Sequence, residues 1–139
     1  MNIMQLYHLP VLRVFFLLTV GLLTACSGGD SDVPELGQVS GTITLDGQPL
    51  EGASVTFEPQ TGTLSTGSTD ASGHYELVFN KDHQGAVLGT HTVRISKRGE
   101  PGTPNDTQDQ IPAKFNANSK LTAEVKVGDN TLNFDLETK

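Results

Sequence analysis

The chain has 139 residues, 16 acidic against 9 basic side chains, 15 glycines and one cysteine. That length fits one domain with an appended segment. The lone cysteine excludes an internal disulfide framework or a cysteine-rich zinc site, and a formal charge of −7 argues against a nucleic-acid binder, which would normally show a basic face. The hydrophobic content, 35% overall, is concentrated near the start of the chain. The remainder is thinly apolar and suits the core of a small β domain.

Residues 1–25 carry one side-chain charge, Arg13, and no acid. The run 14–23 (VFFLLTVGLL) is apolar. As a helix it would reach about 15 Å, half the hydrocarbon thickness of a bilayer, so its length and flanks fit an export signal better than a membrane span. It leads into Leu23-Thr24-Ala25-Cys26. This tetrad resembles a bacterial lipobox. The resemblance implies cleavage between Ala25 and Cys26, a diacylglyceryl group on the Cys26 thiol, and an acyl chain on the new amine. Membrane lipid held through Cys26 is then the expected anchor, because two or more chains bind stably where one does not. Ser27 at the next position favours the outer membrane over the inner. Residues 26–36 read as the lipidated cysteine and a flexible tether rich in Gly, Ser and Asp.

From residue 37 to 139 the dominant period is two. Val39, Gly41, Ile43 and Leu45 alternate with Ser40, Thr42 and Thr44. Ala53, Val55 and Phe57 form a second apolar row, and 64–69 a weaker strand. Tyr75, Leu77 and Phe79 come next, followed by His91, Val93 and Ile95. Leu121, Ala123, Val125 and Val127, then Leu132, Phe134 and Leu136, complete the set. Asp46-Gly47, Asp70-Ala71-Ser72-Gly73 and Gly128-Asp129-Asn130 are turn sequences, the last expected to close a short hairpin. The expectation is an all-β, seven-stranded antiparallel sandwich of Greek-key type, as in Ig-like folds. Its predicted core is Val39, Ile43, Val55, Phe57, Tyr75, Leu77, Val93, Ile95, Val125, Leu132 and Phe134. Residues 98–110 (RGEPGTPNDTQDQ) contain no aliphatic side chain and read as a long loop that cannot pack.

Residues 39–57 (VSGTITLDGQPLEGASVTF) and 69–75 (TDASGHY) resemble the carboxypeptidase regulatory-like domains, which are transthyretin-like (prealbumin-like) sandwiches. Residues 89–95 (GTHTVRI) are similar to a later strand of that family, with His91 where Tyr is usual. The segments 111–115 and 121–136 resemble small planctomycete-type lipoproteins carrying one such domain. The likeness implies a fold and no activity, since the matched residues are turn and core positions.

No constellation in the chain indicates catalysis or a cofactor. His74, His83 and His91 lie on different strands or faces, and each reads as an isolated, exposed or half-buried histidine. Glu100, Asp106 and Asp109 in the long loop, with Asp70 and Asp129 at turns, offer oxygen ligands for calcium. No loop of calcium-binding spacing is present, however, and turn aspartates ordinarily bind backbone. There is no G-x-S-x-G elbow. The hydroxyisourate hydrolases of the transthyretin-like group carry a His, Arg and His set and a terminal Tyr-Arg-Gly-Ser, whereas this chain reads Asp135-Leu136-Glu137-Thr138-Lys139. The expected function is a non-catalytic envelope lipoprotein. Its sandwich would meet an envelope protein partner through the loop bearing Glu100, Asp106 and Asp109, or through an edge strand. A glycan- or calcium-binding module is the alternative.

Overall fold

The computed structural model describes residues 32–139. The signal segment, the Ala25–Cys26 cleavage position and the Cys26 lipidation site lie outside these residues. Twelve short strands follow one another: β1 (Leu36–Leu45), β2 (Gln48–Pro49), β3 (Ser54–Pro59), β4 (Ser65–Ser68), β5 (His74–Glu76), β6 (Val78–Asn80), β7 (His83–Gln84), β8 (Ala86–Val87), β9 (Gly89–Ser96), β10 (Thr122–Val125), β11 (Asp129–Thr131) and β12 (Phe134–Leu136). One 3-10 turn, Ala113–Phe115, precedes β10. All seven expected strands are present among the described residues. The third apolar row is split into β5 and β6, while β2, β7, β8 and β11 are short additions.

The strands form two sheets packed as a sandwich. In the first, β1 is the central strand. Ser40 and Thr42 pair with β5 on one side, and β11 and β12 occupy the other side. The second sheet runs β10-β9-β3-β4-β6-β7 and is antiparallel throughout. The long register of β3 on β9, from Ser54↔Ser96 to Pro59↔His91, sets its centre. Alternation explains the layering. Val55 and Phe57 of β3, with Val93 and Ile95 of β9, are fully buried, while their polar neighbours face outward.

Two details depart from the expected pattern. β11 and β12 run parallel to β1, whereas every other pair in that sheet is antiparallel. The turn at Gly128 therefore closes no hairpin. It carries the chain from the second sheet to the first, so β11 reaches β1 travelling in the same direction. The Asn130 side chain ties this crossing to β1. Its Oδ1 accepts from the Lys126 N–H at 2.9 Å, and its Nδ2 donates to the Lys126 and Gln38 carbonyls at 2.8 and 3.0 Å. On the opposite side the sheets are joined by the chain itself. β5 pairs with β1, but β6, one residue later, pairs with β4. The buried Leu77 is the crossing point, its N–H donating to the Val39 carbonyl at 3.0 Å. The chain crosses back between β7, which pairs with β6, and β8, which pairs with β1. The chain thus crosses between the sheets on both sides of the sandwich, at Leu77 and Gly85 on one and at Gly128, next to β10, on the other.

The core holds nine of the expected residues: Val39, Ile43, Val55, Phe57, Tyr75, Leu77, Val93, Ile95 and Val125. Leu132 and Phe134 are only partly buried and pack against this core from its margin. Leu50, Ala53, Ala86, Ile111 and Leu136 complete the core. Tyr75 is buried to 1% exposure and its hydroxyl donates to the Leu132 carbonyl at 2.7 Å. That carbonyl turns toward the interior between β11 and β12 and needs a donor there. Gly41 provides the room, since a Cβ at that position would collide with the Leu132 carbonyl oxygen. Burial pushes the Tyr75 hydroxyl well above its ordinary pKa, so it remains a donor.

Candidate functional site

The long loop is ordered at its base by one of its own acids. Arg98 and Asp109 form an isolated bridge of backbone pairing. Asp109 Oδ1 accepts from the Lys97 and Ile111 N–H groups at 3.0 and 2.9 Å, and Oδ2 accepts from Asn116 Nδ2. Successive turns fill the interior of the loop, with N–H donations from Thr103 to Glu100, Asp106 to Thr103 and Gln108 to Asn105. The expectation that this stretch cannot pack needs correction. It buries no aliphatic side chain of its own, yet Asp109 ties it down and Ile111, immediately after it, enters the core at 3% exposure. The three candidate contact residues therefore separate. Asp109 is half-buried and fully engaged, Asp106 is half-buried and accepts from the Gly102 N–H at 3.3 Å, and Glu100 is exposed. Glu100 and Asp106 are the two acids left at the loop's outer part.

The calcium candidates do not converge. Among the described residues, no group of three or more His, Cys, Asp or Glu side chains could hold a metal ion. Asp70 heads the turn before β5, where its Oδ1 accepts from Ser72 N–H at 2.8 Å, Ser72 hydroxyl at 2.7 Å and His74 N–H at 3.0 Å. Gly73 closes this turn at φ +78°, with its N–H bound to the Asp70 carbonyl. Asp129 lies on β11 in the other sheet from the long loop. The histidines are equally scattered. His74 sits 3.7 Å from Glu76, His83 bonds Asn80 at 2.9 Å, and His91 is a correction: it is a core residue at 1% exposure. Its Nε2 lies 2.6 Å from the Val87 carbonyl, which makes Nε2 the protonated nitrogen, and its ring packs 5.7 Å from that of Phe57.

Two surface features remain. At the end of β1 a shallow cleft is lined by Thr44, Asp46, Asp135 and Thr138. Its acids accept from neighbouring threonines: Thr138 donates to Asp46 from both N–H (2.9 Å) and Oγ1 (2.8 Å), and the Thr44 hydroxyl donates to Asp135 at 2.8 Å. Asp46 is a left-handed residue at φ +50°, and these two bonds fix it there. The second feature is a groove of about 520 Å³ beside the start of β10, lined by Lys114, Phe115, Asn118, Lys120 and Leu121. Sequence reasoning singled out none of these five as functional. The signal lay in Lys120, Thr122 and Glu124, which share the polar face of the strand.

Hydrogen bonding holds two carboxyls below their ordinary pKa of 3.8. For Asp46 the Thr138 N–H is the main cause, followed by its hydroxyl. For Asp70 the Ser72 hydroxyl leads, followed by the His74 N–H. A carboxyl whose folded pKa is depressed adds stability that is complete above its unfolded pKa and is lost as pH falls through the folded value. The melting temperature should therefore drop below about pH 4. Asp70→Asn should be less stable than wild type at neutral pH and show a flatter decline in that acid window. An unchanged acid slope in thermal melts of Asp70→Asn would remove this carboxylate from the explanation.

No protein-family model and no curated protein matches the chain. Among solved structures it is similar to a DUF3823 family protein from Parabacteroides merdae, at 15% identity and a TM-score of 0.40, over 74% of this chain and 46% of that one. The chain thus spans less than half the length of that neighbour. Among the described residues no helix is long and apolar enough to cross a membrane.

Proposed function

We propose that the chain is a non-catalytic, lipid-anchored protein of the cell envelope whose β-sandwich is a structural and protein-interaction module. The observation that carries this reading is Leu23-Thr24-Ala25-Cys26 at the end of an apolar run of export-signal length. An anchor of two or more acyl chains is stable without help from protein charge, and a net-negative chain gains none from anionic lipid. The resemblance of residues 39–57 and 69–75 to carboxypeptidase regulatory-like domains supports the module's class. Its matched positions include Gly41, Gly73 and Tyr75, whose roles here are structural. Glu100 and Asp106, at the outer part of a loop pinned by Asp109, are the proposed contact surface for an envelope partner.

One experiment tests both halves. Cells expressing the tagged full chain are crosslinked, fractionated and probed by mass spectrometry. Cys26→Ser should leave the membrane fraction, whereas Glu100→Lys with Asp106→Lys should stay there and lose the recurrent partner. Membrane retention of the Cys26→Ser protein would overturn the anchor. An unchanged partner set with both loop charges reversed would overturn the loop's role.

A further inference from the structure

The outer edge of β10 closes the second sheet, and among the described residues no strand pairs with it. Its register on β9 points the N–H and C=O groups of Ala123 inward to His91, and Leu121 accepts from the Val93 N–H. In an antiparallel ladder this alternation directs the backbone groups of Thr122 and Glu124 away from the sheet, ready to pair with another strand. The exposed side chains along this edge read Lys120, Thr122, Glu124, and the half-buried ones between them are Leu121 and Ala123.

This pattern is complementary to itself when reversed. We infer that β10 pairs antiparallel with β10 of a second copy of this chain, centred on Thr122, to join two second sheets into one continuous sheet. In that register Lys120 of each copy faces Glu124 of the other, twice, and Leu121 faces Ala123, a large side chain against a small one. Moving the centre to Ala123 sets Lys120 against Lys126, and moving it by two in either direction sets Glu124 or Lys120 against its own copy; moving it to Leu121 leaves Lys120 facing Thr122 and Glu124 facing Asn118. Like charges directly opposed disfavour the first two shifts and the third forfeits both Lys120–Glu124 pairs, so electrostatics selects the Thr122-centred register. The pairing also draws Val127, an apolar side chain left 69% exposed, toward the other copy's groove of Phe115 and Leu121. The inference rests on this edge alone and needs no anchor.

The test uses the full chain in detergent micelles. Wild-type protein, examined by sedimentation equilibrium, should show a monomer–dimer equilibrium. Thr122→Cys, treated with a short bis-maleimide, should yield a covalent dimer above the wild-type background, while Val78→Cys on the remote β6 should not. In the Thr122→Cys background, Lys120→Glu alone or Glu124→Lys alone should lower the dimer yield about five-fold, as expected for two cross-strand charge pairs. The two reversals together should restore it. Wild type that stays monomeric at every concentration overturns the inference. So does a double reversal that fails to rescue, or a Thr122→Cys protein that crosslinks in cells only to a different protein, which would instead mark β10 as the acceptor of a foreign strand.

Discussion

Gly41→Ala should destabilise the sandwich by about 3 kcal/mol or more, the largest loss expected from adding one methyl group to this chain. The new Cβ would meet the Leu132 carbonyl oxygen and come 3.0 Å from Tyr75 Cε1. Neither neighbour can yield cheaply. The carbonyl belongs to the backbone between β11 and β12, and the Tyr75 ring is held by the core on one side and by its bond to that same carbonyl on the other. Moving Leu132 away would strip the carbonyl of its donor in the interior. It would also loosen the Leu132 N–H bond to the Ser40 carbonyl, 2.8 Å long, which joins the last strands to β1. Urea unfolding of wild type and Gly41→Ala checks this. A change of less than about 1 kcal/mol would mean that the strands separate with little cost.

Phe57→Ala should cost about 3–5 kcal/mol, the usual range for removing a fully buried aromatic ring. Phe57 has no exposed surface and packs against three rings: Tyr75 at 6.4 Å, His91 at 5.7 Å and Phe134, edge-on, at 6.2 Å. Its loss removes contacts from both sheets at once, because Tyr75 and Phe134 belong to the first and His91 to the second. Phe57→Leu should recover part of the loss by filling much of the space. The same denaturant titration distinguishes the pair, and equal stabilities for the Leu and Ala variants would show that ring packing is not what the site contributes.

Strand periodicity made most of this architecture legible. The alternation of Val39, Gly41 and Ile43, or of Val55 and Phe57, marks a strand with one dry face, and the turns at Asp46 and Asp70 carry their geometry in their residues. Three things were hidden for physical reasons. Alternation is the same in parallel and antiparallel neighbours, so the direction of β11 and β12 relative to β1 left no trace. The period of two runs unbroken through Tyr75, Leu77 and Phe79, although hydrogen bonding passes from one sheet to the other at Leu77. An isolated apolar residue such as Leu50 lacks a periodic context, and only the folded chain shows that it is core. At the candidate site the charges of the long loop were visible. The employment of Asp109 was not, since its partners Lys97 and Asn116 are set by how the loop returns.

The parallel pairing of β12 with β1 has a mechanical consequence. The strand nearest the start of the domain and the strand nearest the end of the chain lie side by side and point the same way. A load that drew these two ends apart would slide one strand along the other. It would act at once on the Asp46–Leu136 bond, the Leu132–Ser40 bond and the bond from Thr42 to the Asn133 side chain, each 2.8 Å. Such a ladder yields only when its bonds fail together, unlike a hairpin that opens one bond at a time from its end. For a domain tethered at its start, tension between tether and chain end would fall on its most heavily bonded strand.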